Sequence, residues 1–218
     1  MNRRRQIQLF SLSLLLSFGG CAIFSKGEVT SRRYFSPDLP LATAKVGAKR
    51  SGVELRLGRV SAGTYIGDKI VYRESNYEVG YYDERLWTEK PDAYLRRALT
   101  RKLFEEEGLR NVVSGAAPTL DVELISFEEV RAPEHIALVR IAMSLHDDRV
   151  NLMQRTIAVQ RPIAVTPKAG EADAVAQGLG EALRAAVDDV TTQVLARLAT
   201  PNTAPVPCPD PGAKPNGA

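Results

Sequence analysis

Apolar and polar residues alternate along several stretches of this chain and recur at helical spacing along two others. Val53, Leu55 and Leu57 face one way and Glu54 and Arg56 the other, so Val53–Val60 reads as a half-buried strand. Ile70–Tyr72 and Asn76–Tyr82 read as further strands, separated from the first by the turn signals Gly63 and Gly67-Asp68. In Pro118–Val130, Leu120, Val122 and Leu124 alternate with Asp121 and Glu123. His135–His146 sets Ala137, Val139, Ile141, Met143 and Leu145 opposite Arg140, Ser144 and His146. Asp147-Asp148 to Asn151 is a turn, and Leu152–Gln160 returns as the hairpin partner. These last three strands form a meander.

Two segments switch to helical spacing. Pro91–Glu107 opens with Pro91 and Asp92, suited to a first turn, and carries Leu95, Ala98, Leu99 and Leu103 as its stripe. Gly108 and Leu109 form its expected stop. Glu105, Glu106 and Glu107 oppose the dipole there, with no compensation visible in the sequence. Gly170–Ala199 is a long amphipathic helix, with Val175, Leu179, Leu183, Ala186, Val190 and Val194 on one side. The fold class expected is α/β in the α+β sense: one domain, a mixed or antiparallel sheet, and two amphipathic helices packed on it.

The ends of the chain follow other rules. Met1–Gln6 is cationic, Ile7–Phe18 is mostly apolar, and Gly19-Gly20 precede Cys21. The apolar run is shorter than the roughly 20 residues a spanning helix needs. It has the layout of a secretory signal over residues 1–20. Small residues directly before a cysteine resemble a bacterial lipobox, although Phe18 stands where leucine is usual. That resemblance implies cleavage between Gly20 and Cys21 and a covalent lipid (diacylglyceryl, then palmitate) on Cys21, with no other cofactor. Ala22, rather than Asp, follows the cysteine, which favours the outer membrane, facing the periplasm. Residues 21–52 read as a tether with one short strand pattern at Arg33–Ser36, and residues 53–199 as the domain. Residues 200–218 hold six prolines and read as a disordered tail.

Charge changes the picture in one respect. The chain of 218 residues has 29 basic and 26 acidic side chains, a net of +3. Three of the cations, Arg3, Arg4 and Arg5, lie in residues 1–20, so the remainder is balanced. A nucleic-acid binder needs a surplus of phosphate-facing cations on the folded domain, so that class is excluded. The tether is basic, while Asp121–Asp148 is acidic and reads as a solvated sheet face.

Candidate chemistry is sparse. His135 and His146, eleven residues apart on one strand, would stand roughly 36 Å apart on opposite faces, which excludes a shared metal. No nucleophile elbow or P-loop is present, and Gly178-x-Gly180 lies within the long helix. No catalytic residue and no metal site are expected, and the chain reads as a non-enzyme. The feature left over is aromatic: Tyr77, Tyr81, Tyr82 and Trp87 lie close together. Such rings either pack inward or furnish an interaction surface, and Tyr81, Tyr82 and Trp87 are the candidate partner-binding residues.

The stretch Leu55-Arg56-Leu57-Gly58-Arg59-Val60, then Tyr65, Val71-Tyr72-Arg73, Tyr81-Tyr82 and Trp87 ahead of Pro91, resembles the ABC-type transport auxiliary lipoproteins. That family includes PqiC-like lipoproteins associated with MCE-type lipid transport. The alanine-rich final helix is similar too. The resemblance implies a lipid-anchored accessory that works with an MCE-type substrate-binding protein and an ABC permease and ATPase. Self-association into a homo-oligomer stays open. A structural lipoprotein that stabilises an outer-membrane assembly, with no part in transport, is the alternative.

Overall fold

The computed structural model describes residues 31–37, 52–165 and 170–200. The expected signal, Gly20, Cys21, most of the tether and the proline-rich tail therefore lie outside the described residues. Among the described residues, eight strands form one mixed sheet: β1 (Arg33–Phe35), β2 (Glu54–Ala62), β3 (Lys69–Arg73), β4 (Val79–Trp87), β5 (Arg110–Asn111), β6 (Thr119–Val130), β7 (Ile136–His146) and β8 (Asn151–Pro162). Helix α1 (Pro91–Thr100) continues as a π-helical segment, Arg101–Glu106, and α2 spans Glu171–Ala199. The expected α+β class holds.

β6 organises the sheet. β7 pairs antiparallel along its whole length on one side, and β8 pairs antiparallel with β7. On its other side β6 is shared. β2 runs parallel to its first half (Leu57 beside Leu120) and β3 parallel to its second half (Tyr72 beside Glu129). The sheet therefore forks, with β5 beyond β2 and β4 then β1 beyond β3. A β-bulge in β6 between Leu124 and Ser126 lies at the fork. There the Gly63 amide donates to the Leu124 carbonyl at 2.9 Å, and the Tyr65 hydroxyl donates to the Ile125 carbonyl at 2.8 Å. These bonds satisfy two backbone carbonyls at the bulge. Burial raises the Tyr65 phenol above its ordinary pKa, which keeps its hydrogen in place as a donor.

The bulge also shifts the facing of β6 by one residue. Leu120, Val122 and Leu124 are inward before it, and Phe127 is inward after it. Both helices cover this inward face, where β7 contributes Val139, Ile141 and Leu145 and β8 contributes Ile157 and Val159. α2 supplies Val175, Leu179, Ala186, Val190 and Val194. Among the described residues no helix is long and apolar enough to cross a membrane.

Four expectations change. The strand read at Asn76–Tyr82 is β4, which begins at Val79 and runs to Trp87, because Ser75 Oγ accepts from the amides of Tyr77 and Glu78 and makes a turn there. The helix read as continuous to Glu107 widens into π turns, and ends with the Leu109 amide on the Leu103 carbonyl and Gly108 at φ 71°. A stripe spaced by four residues drifts about 40° per step around a 3.6-residue helix, so wider turns return Leu103 to the core beside Leu95 and Leu99. Two of the three glutamates, Glu106 and Glu107, are also compensated. Lys102 reaches Glu106, Glu107 and Asp188 of α2 at 3.1–3.7 Å, and Arg101 reaches Glu106 at 3.2 Å. Finally, Arg33–Phe35, read as part of the tether, is an edge strand of the domain, parallel to β4 with Phe35 beside Trp87. The Pro37 carbonyl then lies where a Cβ on Gly180 would come within 2.2 Å, so Gly180 is a packing position against this returning chain.

Candidate functional site: a buried carboxylate pair at the fork

The polar chemistry of the domain concentrates at the end of β6. Glu128 and Glu129 are consecutive, each 1% exposed, and face opposite sides of the sheet. An unpaired buried carboxylate would be strongly disfavoured, so each has built its own set of donors. Arg73 of β3 grips Glu128 with both arms, Nε to Oε1 at 3.0 Å and Nη2 to Oε2 at 3.1 Å. This fork geometry is the strong form of the pair. The hydrogen bond to Glu128 raises the Arg73 pKa beyond its ordinary value.

Glu129 is held by three elements. The Tyr82 hydroxyl of β4 donates to Oε2 at 2.6 Å, and His135 Nε2 donates to Oε1 at 2.6 Å. A carboxylate only accepts, so the His135 hydrogen sits on Nε2. Arg131 stands at 3.8 Å from Oε2, donates to the Tyr82 oxygen at 2.7 Å, and pairs with Glu74 at 2.8 Å. Rings and guanidinium groups stack around this core. Arg85 lies 3.9 Å over the Tyr82 ring, Tyr82 meets Tyr72 edge-on at 5.0 Å, and Arg131 lies 3.9 Å over Tyr72. Gly80 makes room for this stack, since a Cβ there would enter the Tyr72 ring at 2.3 Å. Arg85 also reaches Glu171 in the first turn of α2 at 3.6 Å.

These contacts fix protonation states. Burial, reinforced by the bond to Glu129, pushes the Tyr82 phenol up to about 12. Burial opposes the charge on Arg131, but its bonds to Tyr82 and Glu74 and the field of Glu129 outweigh that and raise its pKa. Tyr82 is therefore neutral and Arg131 charged across the physiological range. The cluster is an electrostatic lock joining β3, β4, β6 and the start of α2.

Behind it, on the face the helices do not cover, lies an open cleft of about 430 Å³. Val130, Ile136 and Leu138 give it an apolar floor, and Arg73, Arg140 and Glu134 supply its charge. Among the described residues no group of three or more His, Cys, Asp or Glu could hold a metal ion.

The three aromatic candidates separate. Tyr81 is 44% exposed. Tyr82 is committed to the lock. Trp87 is 3% exposed and packs on Phe127 at 5.2 Å and Tyr94 at 6.4 Å, so its reading as a contact residue is corrected: its ring is core. The acidic stretch is likewise only partly a solvated face, because Glu128 and Glu129 are buried within it. Sequence reading missed this pair because the bulge two residues earlier breaks the alternation used to assign faces. A run of two acids between Phe127 and Val130, with Arg131 and His135 following, was the available signal.

Comparison with known proteins gives the fold a context. A crystal structure of a Xanthomonas campestris protein, described as family DUF330, superposes with a TM-score of 0.63 at 19% identity. The match covers 76% of this chain and 96% of that one. A crystal structure of an uncharacterized protein superposes at 0.58 and 14% identity, covering 75% and 99%. At these identities the likeness is one of fold. No curated protein matches. The family model described as the ABC-type transport auxiliary lipoprotein component matches residues 37–191, which takes in the fork, the carboxylate lock and most of α2. Over that span, the chain belongs to the ABC-type transport auxiliary lipoprotein component family.

Proposed function

We propose that this protein is a lipid-anchored accessory subunit of an ABC/MCE-type intermembrane lipid transport system, which docks the MCE-type substrate-binding protein at the membrane. The observation that carries this reading is the family match across residues 37–191. In it, Gly20–Cys21 is the cleavage site, the Cys21 lipid holds the chain in the outer membrane facing the periplasm, and the folded domain presents a rigid surface. The lock at Glu128 and Glu129 contributes by holding the two halves of the forked sheet and α2 together. The protein is non-enzymatic and takes no cofactor beyond the lipid. Nucleotide hydrolysis belongs to the ATPase partner. Of the aromatic candidates, Tyr81 is the one with a substantially exposed ring, and it serves as a partner contact.

The reading is tested by tagged co-purification with the MCE protein, permease and ATPase of its own host. The partners are expected to elute with the wild type. A Cys21→Ser variant is expected to lose palmitate labelling and leave the membrane fraction. Continued labelling of the variant would overturn the anchor, and absence of all three partners from the wild-type eluate would overturn the transport role.

A further inference from the structure

β8 is a twelve-residue edge strand whose far side meets no other strand among the described residues. Its hydrogen-bonding parity is set at one end, where the Ile163 amide donates to the His135 carbonyl at 3.0 Å. In an antiparallel ladder bonded and non-bonded pairs alternate, so Arg161, Val159, Ile157 and Arg155 bond to β7. The amides and carbonyls of Gln154, Thr156, Ala158 and Gln160 therefore point outward. Leu152, of the same parity, agrees: its carbonyl accepts from Arg197 Nε at 3.0 Å. The Gln160 carbonyl takes a local bond from Arg161 Nη1 at 3.0 Å.

The side chains along this edge have a definite order. Ile157 and Val159 are buried on the helix side, and Arg155 and Arg161 flank them on that same side, both exposed. Neither arginine has an ion-pair partner among the described residues, and residues 151–162 contain no acid. A strand added to β8 would place alternate residues beside Arg155, Ile157, Val159 and Arg161. The complement is acid, apolar, apolar, acid, each two residues apart. This order reads the same in either direction, so it suits a parallel or an antiparallel guest.

Charge decides the occupant. A second copy paired through β8 would bring arginines together with no acid to meet them, which is repulsive. The segments of this chain outside the described residues fit no better. Residues 22–30 carry one acid (Glu28), 38–51 one (Asp38), 166–169 none, and 201–218 one (Asp210) among six prolines, which cannot donate to a ladder. We infer that the outer edge of β8 is a strand-addition site for an extended segment of a partner protein carrying two acids six residues apart with apolar residues between. Main-chain bonds along Gln154–Gln160 supply the affinity, and Arg155 and Arg161 set the register. The inference stands apart from the lipid anchor and rests only on the reading of the protein as a docking subunit.

The test uses the full chain in detergent and a fluorescein-labelled peptide, Glu-Thr-Val-Thr-Val-Thr-Glu, followed by anisotropy. Saturable binding is expected. The Arg155→Glu, Arg161→Glu double variant should weaken it at least tenfold and bind a second peptide, Lys-Thr-Val-Thr-Val-Thr-Lys, instead. Ala158→Pro removes one outward amide that the sheet itself does not use, and should weaken binding similarly while leaving the circular dichroism spectrum unchanged. If that variant unfolds, the charge exchange alone decides. Absence of binding at millimolar peptide, or binding indifferent to the charge exchange, would overturn the inference. So would a dimer by light scattering that Ala158→Pro dissolves, since that would assign the edge to a second copy.

Discussion

Two acid–histidine pairs join β6 to the β7 region at opposite ends: Glu129 with His135 and Asp121 with His146. Their residue types are nearly the same and their settings are not. Glu129 is enclosed, with His135 at 2.6 Å and Tyr82 at 2.6 Å. Asp121 is 41% exposed, with His146 at 3.1 Å and the Arg59 amide at 2.6 Å. The first pair lies where β3 runs beside the end of β6, under β4 and the start of α2, whereas the second lies near a hairpin turn open to water. Burial, rather than residue identity, decides how much each pair matters. A buried carboxylate that loses or strands its partners has no water to replace them, while an exposed one does.

The sharpest way to break this comparison is to remove Glu129. Glu129→Ala should cost about 3–5 kcal/mol in urea denaturation, because Tyr82, His135 and Arg131 lose their shared acceptor. A loss near 1 kcal/mol would mean the lock is decorative. Tyr82→Phe is milder, about 1–2 kcal/mol near neutral pH. It also has a pH signature. The Tyr82 phenol is raised to about 12, above its ordinary value of 10. The unfolded chain therefore ionises first, so the stability linked to this group is complete below pH 10 and lost as pH rises through about 12. The wild type's margin over Tyr82→Phe should shrink across that window, measured by denaturation at stepped pH. A margin constant to pH 12 would place the phenol in an ordinary environment. The smallest effect belongs to the open pair. Asp121→Ala should cost about 1 kcal/mol or less and less still in high salt, and a cost equal to that of Glu129→Ala would erase the contrast.

Legibility followed locality. Alternation in β7 was plain because no bulge interrupts it between Ile136 and Leu145, and each residue faces as its parity says. The same reasoning held for β6 as far as Leu124 and failed beyond it, where the bulge turns Phe127 and Glu129 to the helix side and Glu128 to the other. In β2 a register shift between Leu57 and Val60 has the same consequence. Trp87 was misjudged for another reason. Its burial depends on Phe127 and Tyr94, which the chain brings to it only through tertiary packing.

What the sequence determined by itself were the quantities that depend on near neighbours. These are the period of each amphipathic segment, the proline start and glycine stop of the first helix, the meander of β6, β7 and β8, and the charge balance left once the first residues are set aside. Tertiary structure decided which segments share an edge. That β2 and β3 lie end to end along β6, that β1 joins β4, and that Tyr82 meets Glu129 are consequences of pairings across tens of residues. Short-range patterns reflect local geometry and burial preference. Long-range partners are chosen by the joint packing of the whole core, and no window along the chain contains that information.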